Sequence, residues 1–213
     1  MAKLDIYWSF RSPYSYLAVD RLVGIARDFD IDIDFRPVRP LAMREPDFFE
    51  RGRKQFLPYL FRDVPREAEQ LGIAFGMPNP DPIKMDMSSG KVDAEQPILN
   101  AIMGLALAAC AENRGLDFAQ AVGASIWGGK QNWNAPDVLG QTLSDAGLDL
   151  AALSQWAADN SSAIKETTER NEAAQLEHHW GVPLMVLDGE PFFGQDRLNS
   201  LVWRLEQRGL RRD

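Results

Sequence analysis

The sequence predicts an α/β fold on three observations: a strand–helix–strand pattern at residues 4–37, a strand–strand–helix pattern at residues 183–205, and only helical patterns between them. Leu4, Ile6 and Trp8 alternate with Asp5, Tyr7 and Ser9, the period of two expected of a strand. Arg11-Ser12-Pro13 then opens an apolar helical pattern through Tyr16, Leu17, Val19, Leu22, Val23 and Ala26. Ile31, Ile33 and Phe35 alternate with Asp32, Asp34 and Arg36. Pro37, which has no N–H for a sheet ladder, ends that second strand. Such a βαβ unit winds right-handed with its strands parallel.

From about 40 to 175 the signals are helical. Residues 46–72 read as one helix or two, with interruptions at Pro58 and Pro65. Gly76-Met77-Pro78-Asn79-Pro80-Asp81-Pro82 must be loop, because each proline restricts its predecessor as well as itself. Residues 95–113 are apolar almost all round, the pattern of a buried helix. Shorter helices are expected near 116–128, 135–146 and 149–158, and a longer one near 159–178. Asn134-Ala135-Pro136 and Asp149 serve as start signals. The strand signature returns at Pro183-Leu184-Met185-Val186-Leu187. Asp188-Gly189 is a hairpin dipeptide, since a two-residue turn needs positive φ. Glu190 to Phe193 complete the hairpin, and Gly194-Gln195-Asp196-Arg197 open a last helix carrying Leu198, Leu201, Val202 and Leu205. Residues 1–40 and 180–213 are thus expected to form one sheet domain, with 41–179 an inserted helical domain.

Composition narrows the function. A chain of 213 residues fits one domain of ordinary size, or one with a large insertion. Lys and Arg number 23 against 31 Asp and Glu, a net charge of -8, so no nucleic-acid partner is expected. No apolar run approaches the roughly 20 residues of a membrane span. The single Cys110 cannot form an internal disulfide, a Cys-x-x-Cys pair or a cysteine-rich zinc site. His178 and His179 are adjacent, point in different directions on a helix, and imply no metal site. The start MAKLDIYW lacks the basic-then-apolar pattern of a signal peptide, and a reducing, cytoplasmic setting is expected.

Two local features carry candidate chemistry. Ser12-Pro13-Tyr14-Ser15 lies where the first strand hands over to the first helix, at unpaired N–H groups and the positive end of the helix dipole. Ser12 can be a plain N-cap with Pro13 at the first helical position, and the same hydroxyl can also face a ligand. Val182-Pro183 precedes the buried strand. On local pattern it reads as an ordinary strand start, with a cis peptide as the alternative.

Together these segments resemble something known. Ser-Pro-Tyr-Ser stands where a thioredoxin-like fold carries Cys-x-x-Cys, Gly181-Val182-Pro183 is similar to that fold's cis-proline loop, and the helical insertion resembles the DsbA-like branch. Within that branch, Phe10 to Ala18, Gly181-Val182-Pro183 and Phe193-Gly194-Gln195-Asp196-Arg197 are similar to the 2-hydroxychromene-2-carboxylate isomerases and kappa-class glutathione transferases. Asn132-Trp133-Asn134 and Asp137-Val138-Leu139 match a further stretch of that family. After the second strand the family usually carries Asn-x-Pro-Pro, whereas this chain reads Phe49-Glu50-Arg51-Gly52-Arg53-Lys54-Gln55-Phe56-Leu57-Pro58.

The resemblance implies a glutathione-dependent isomerase of aromatic catabolism. Ser12 would hold the glutathione sulfur, and the backbone of Val182 beside Pro183 would pair with the tripeptide as an added strand. Gln195 and Asp196 would hold the γ-glutamyl end, unless they merely cap the last helix. Lys54 or Arg53 would meet an acidic aromatic substrate, unless they are only a solvated helix face. A homodimer is implied as well. Two other readings stay open: a kappa-like transferase that conjugates electrophiles, and a binding module without chemistry. Lowering a thiol by about two pKa units takes roughly 2.7 kcal/mol of preference for the thiolate. A hydrogen bond to a charged group gives about 1.5–3 kcal/mol and a helix N-terminus about 0.3–1, so one hydroxyl at one helix end suffices.

Overall fold

A computed structural model describes residues 1–86 and 89–212, without the side chains of residue 46 and residues 48–53. β1 (Ala2–Trp8) and β2 (Ile31–Pro37) pair in parallel, joined by α1 (Pro13–Asp28), with Leu4 opposite Ile33 and Ile6 opposite Phe35. β3 (Leu184–Leu187) runs antiparallel along the other side of β1, and β4 (Glu190–Phe193) antiparallel to β3, giving the order β2-β1-β3-β4. The β3–β4 turn has φ of 47° at Asp188 and 89° at Gly189, as the dipeptide predicts. Mixed sheet and abundant helix make the fold α/β, in agreement with the sequence.

Between the two halves of the sheet lie α2 (Leu41–Arg44), α3 (Pro46–Leu71), α4 (Pro97–Ala111), α5 (Gly115–Trp127), α6 (Pro136–Asp145), α7 (Leu150–Asp159) and α8 (Ser161–Leu176). Asp149 caps α7 through its carboxylate, which accepts from the Ala151 N–H at 2.8 Å. The prolines expected to interrupt α3 do not break it: Pro58 and Pro65 both lie inside one helix. Each removes a single ladder bond, while the helix keeps a buried face through Val64 and Ala68. Gly72 then ends α3 at φ 66°, with the Ile73 N–H on the Ala68 carbonyl at 2.9 Å. The last helix also differs from expectation. Gln195–Arg197 form a 3-10 turn, and α9 (Leu198–Gln207) begins after it.

The period of two in β1 sorts its side chains onto two faces. Leu4, Ile6 and Trp8 join the main core, which continues through Leu17 and Leu22 of α1, Leu99 and Ile102 of α4 and Phe118 and Val122 of α5. Tyr7 faces the other way and packs with Val38, Leu184 and Val186 beneath Ala174 of α8. Glu172 of α8 ties this layer to the chain after β2, accepting from the Arg39 N–H and Arg39 Nε, each at 2.9 Å. Among the described residues, no helix is long and apolar enough to cross a membrane.

Candidate functional site

Ser12 sits where β1 hands the chain to α1. It is an N-cap with extended backbone, Pro13 follows in the first turn, and Ser12 Oγ accepts from the Ser15 N–H at 3.2 Å. A hydroxyl that accepts in the cap keeps its own O–H free to donate. The capping role and a ligand-facing role are therefore compatible. Ser15, the other serine of the motif, is fully buried, and its Oγ has no partner among the described residues.

The loop before β3 approaches from the opposite end of the sequence. The Val182–Pro183 peptide is cis. Around it the backbone is anchored at three points: the Gly181 N–H donates to His179 Nδ1 at 2.9 Å, Gln175 Nε2 donates to the Gly181 carbonyl at 2.7 Å, and the Gly194 N–H donates to the Pro183 carbonyl at 2.9 Å. The peptide groups of Val182 itself make no hydrogen bond among the described residues. Gly181 is required by space, because a Cβ there would lie 2.3 Å from the Phe193 ring.

Ser12 and Val182 line one cavity of about 220 Å³. Its wall is mostly apolar. Leu57, Leu60 and Phe61 come from α3, and Phe75 stacks on Trp127 with ring centroids 6.1 Å apart. Four polar side chains besides Ser12 also line it: Ser9, Arg11, Tyr14 and Asp81. Arg11 and Asp81 form a fork, Nε to Oδ1 at 2.8 Å and Nη2 to Oδ2 at 3.0 Å. Tyr14 donates to Asp63 Oδ2 at 2.7 Å, and Arg66 meets the other carboxylate oxygen. Burial, reinforced by the bond to Asp63, pushes the Tyr14 phenol well above its ordinary value, so it stays protonated. Burial would also raise Asp63, but hydrogen bonds from Tyr14, Tyr59 and Arg66 outweigh it and hold that carboxyl below the usual range.

The remaining sequence candidates lie around this centre. Pro183 is buried behind Val182. Gln195 is buried in the 3-10 turn, where Nε2 donates to Glu67 at 2.8 Å and Oε1 accepts from Arg21. Asp196 is exposed next to it and pairs with Arg197 at 3.3 Å. Neither lines the cavity, and neither makes a side-chain cap on the turn. Lys54 is exposed on α3 and is not part of the lining. The Arg53 side chain lies outside the described residues.

Residues 3–206 match the DSBA-like thioredoxin domain. The chain belongs to that family. Along nearly its whole length this DsbA-like chain is similar to proteins named 2-hydroxychromene-2-carboxylate isomerase. The one from Pseudomonas putida is 29% identical, covering 93% of this chain and 91% of the relative. That from Sphingobium xenophagum is 25% identical, covering 93% and 95%. A solved structure of a 2-hydroxychromene-2-carboxylate isomerase superposes with a TM-score of 0.70 at 25% identity, covering 96% of this chain and 95% of that one.

Against the DsbA-like frame, the polar groups that sequence reasoning missed are those whose partners are remote. Arg11 and Asp81 are 70 residues apart and Tyr14 and Asp63 49, while Glu67 lies 128 residues from the expected Gln195 that it meets. One local signal was available. Arg11 immediately precedes the serine cap, so a cavity built on Ser12 has that cation at its wall.

Proposed function

We propose that the chain is a glutathione-dependent isomerase acting on 2-hydroxychromene-2-carboxylate or a similar acidic aromatic compound. The observation that carries this reading is a serine hydroxyl at a helix N-terminus, lining the same apolar cavity as an unpaired peptide beside a cis-proline. The whole-length likeness to proteins named as such isomerases supports it. The residues present fit glutathione: Ser12 has an O–H to donate as a hydrogen bond to a sulfur, Val182 has a free N–H and C=O for a strand-like partner, and Asp196 meets Arg197 through Oδ2 and keeps Oδ1 for an ammonium.

When bound, glutathione supplies a thiolate that adds reversibly to the conjugated substrate, makes a fixed double bond rotatable and departs unchanged. Ser12 donates its hydroxyl hydrogen to the sulfur, and the α1 N-terminus adds its positive potential, so both favour the thiolate. The Val182 peptide holds the tripeptide in register. Asp196 receives the γ-glutamyl ammonium, with Gln195 fixed beside it by Arg21 and Glu67. Phe75 and Trp127 offer flat apolar surface to an aromatic ring and exclude water. Arg11, aimed by Asp81, meets the substrate carboxylate with the N–H groups that Asp81 leaves free. Lys54, exposed on α3, attracts the anion from outside the cavity.

Product analysis tests the proposal. With substrate in excess, each glutathione should support many turnovers and be recovered as the free thiol. Stoichiometric consumption of glutathione would instead assign conjugation, and full activity without any thiol would sink the proposal.

A further inference from the structure

We infer that His179 is a positioning residue for the ligand-pairing peptide, holding the Gly181-Val182 backbone through an acceptor nitrogen that protonation removes. The inference rests on the reading of Val182 given above. Of the three anchors around Val182, those from Gln175 and Gly194 are amide donors, which do not titrate. The third alone depends on a titratable side chain, since the Gly181 N–H needs a lone pair on His179 Nδ1.

That bond fixes the neutral tautomer with its proton on Nε2. A second proton goes to Nδ1, and a donor then faces a donor across 2.9 Å. The ring stacks on Phe193 with centroids 3.8 Å apart and on Trp180 at 5.0 Å. Gly181 is packed so closely that a Cβ would strike Phe193 and come within 3.3 Å of Nδ1. The strain must therefore pass to the Gly181-Val182 peptide, at the cavity wall.

Charges around the ring do not compensate for protonation. From α2, the Arg44 guanidinium reaches the neighbouring Trp180 carbonyl at 3.2 Å. The α8 contact is the neutral Gln175 and the β4 contact is apolar Phe193; His178 and Glu177 precede on the same stretch. Burial is the cause that moves the His179 imidazole, and it moves it below its ordinary value. With a lowered folded pKa, the bond from Gly181 to His179 is intact at neutral pH and is lost as pH falls through that value.

The test is calorimetric titration with S-methylglutathione, which has no ionising thiol, on the native protein, His179→Asn and His178→Asn. An Asn side chain can offer an acceptor in place of Nδ1 and does not titrate. The ligand-free Gly181 amide resonance, followed over the same pH range, reports the loop independently of any ligand. Loss of one hydrogen bond predicts affinity weakening about fivefold in the native protein and His178→Asn as pH falls from about 7.5 to about 5, against less than about twofold in His179→Asn. The Gly181 amide should titrate in the native protein and stay still in His179→Asn. A static native amide, or the same pH slope in His179→Asn, would overturn the inference. A titrating amide with no S-methylglutathione binding at any pH would uphold the His179 anchor and defeat the glutathione reading instead.

Discussion

Of two side chains with chemical potential, Ser12 and Cys110, surroundings rather than intrinsic reactivity decide which one can act. Cys110 is the stronger nucleophile by nature, yet burial pushes its thiol up to about 12, and it rests 3.4 Å from the Phe35 carbonyl. Only thiolate attacks. Native protein at about pH 8 should therefore leave Cys110 unmodified by an aromatic disulfide reagent, while denatured protein releases one thiol. Rapid labelling of the native state would contradict its burial. Ser12 is the reverse case, a weak acid at a helix end beside a cavity. Replacing it separates its two duties: Ser12→Gly should cost only a few tenths of a kcal/mol as a cap, and Ser12→Ala about 1 kcal/mol. Both should lose thiolate stabilisation equally. A glycine variant that keeps the thiolate would leave Ser12 a cap and nothing more.

Among the helices, α1 and α3 are joined by the bond from Tyr14, which lines the cavity, to Asp63. The Asp63 carboxyl is held below its ordinary value in the fold. The stability it brings is present above the unfolded carboxylate pKa and is lost as pH falls through the folded one. Asp63→Asn should lower stability by about 1–2 kcal/mol at neutral pH, with Arg66 adding little because it is exposed. In acid the two proteins should converge, as urea melts at a series of pH values would report. A constant gap at every pH would refute the carboxylate's role. This clasp was illegible in the sequence, since nothing local joins position 14 to position 63. The helices themselves were legible, because period and caps are local: Asp149 starts α7 as its residue type predicts. Pro58 and Pro65 misled for the complementary reason. A proline's local cost was outweighed by packing along the buried face of α3, which local pattern does not reveal.

Taken whole, the molecule brings the first turn of α1 and the loop before β3 together by pairing β1 with β3. That pairing is why two motifs some 170 residues apart could be read as one site: each is marked by its own serine–proline or valine–proline step, and the sheet order supplies the rest. The apolar wall and Asp81, the remote partner of Arg11, had no such marker. In sequence His179 shows only as a poor metal ligand, and its bond to Gly181 emerges from the closed loop. The central claim is that this frame exists to hold a glutathione thiolate at Ser12. It is tested most directly by titrating the protein with glutathione near neutral pH and following thiolate absorbance, in native protein and Ser12→Ala. Saturable thiolate formation in the native protein that falls at least about tenfold in the variant is the expected result, since a hydrogen bond to a charged group contributes about 1.5–3 kcal/mol. Binding without thiolate in either protein would contradict the account.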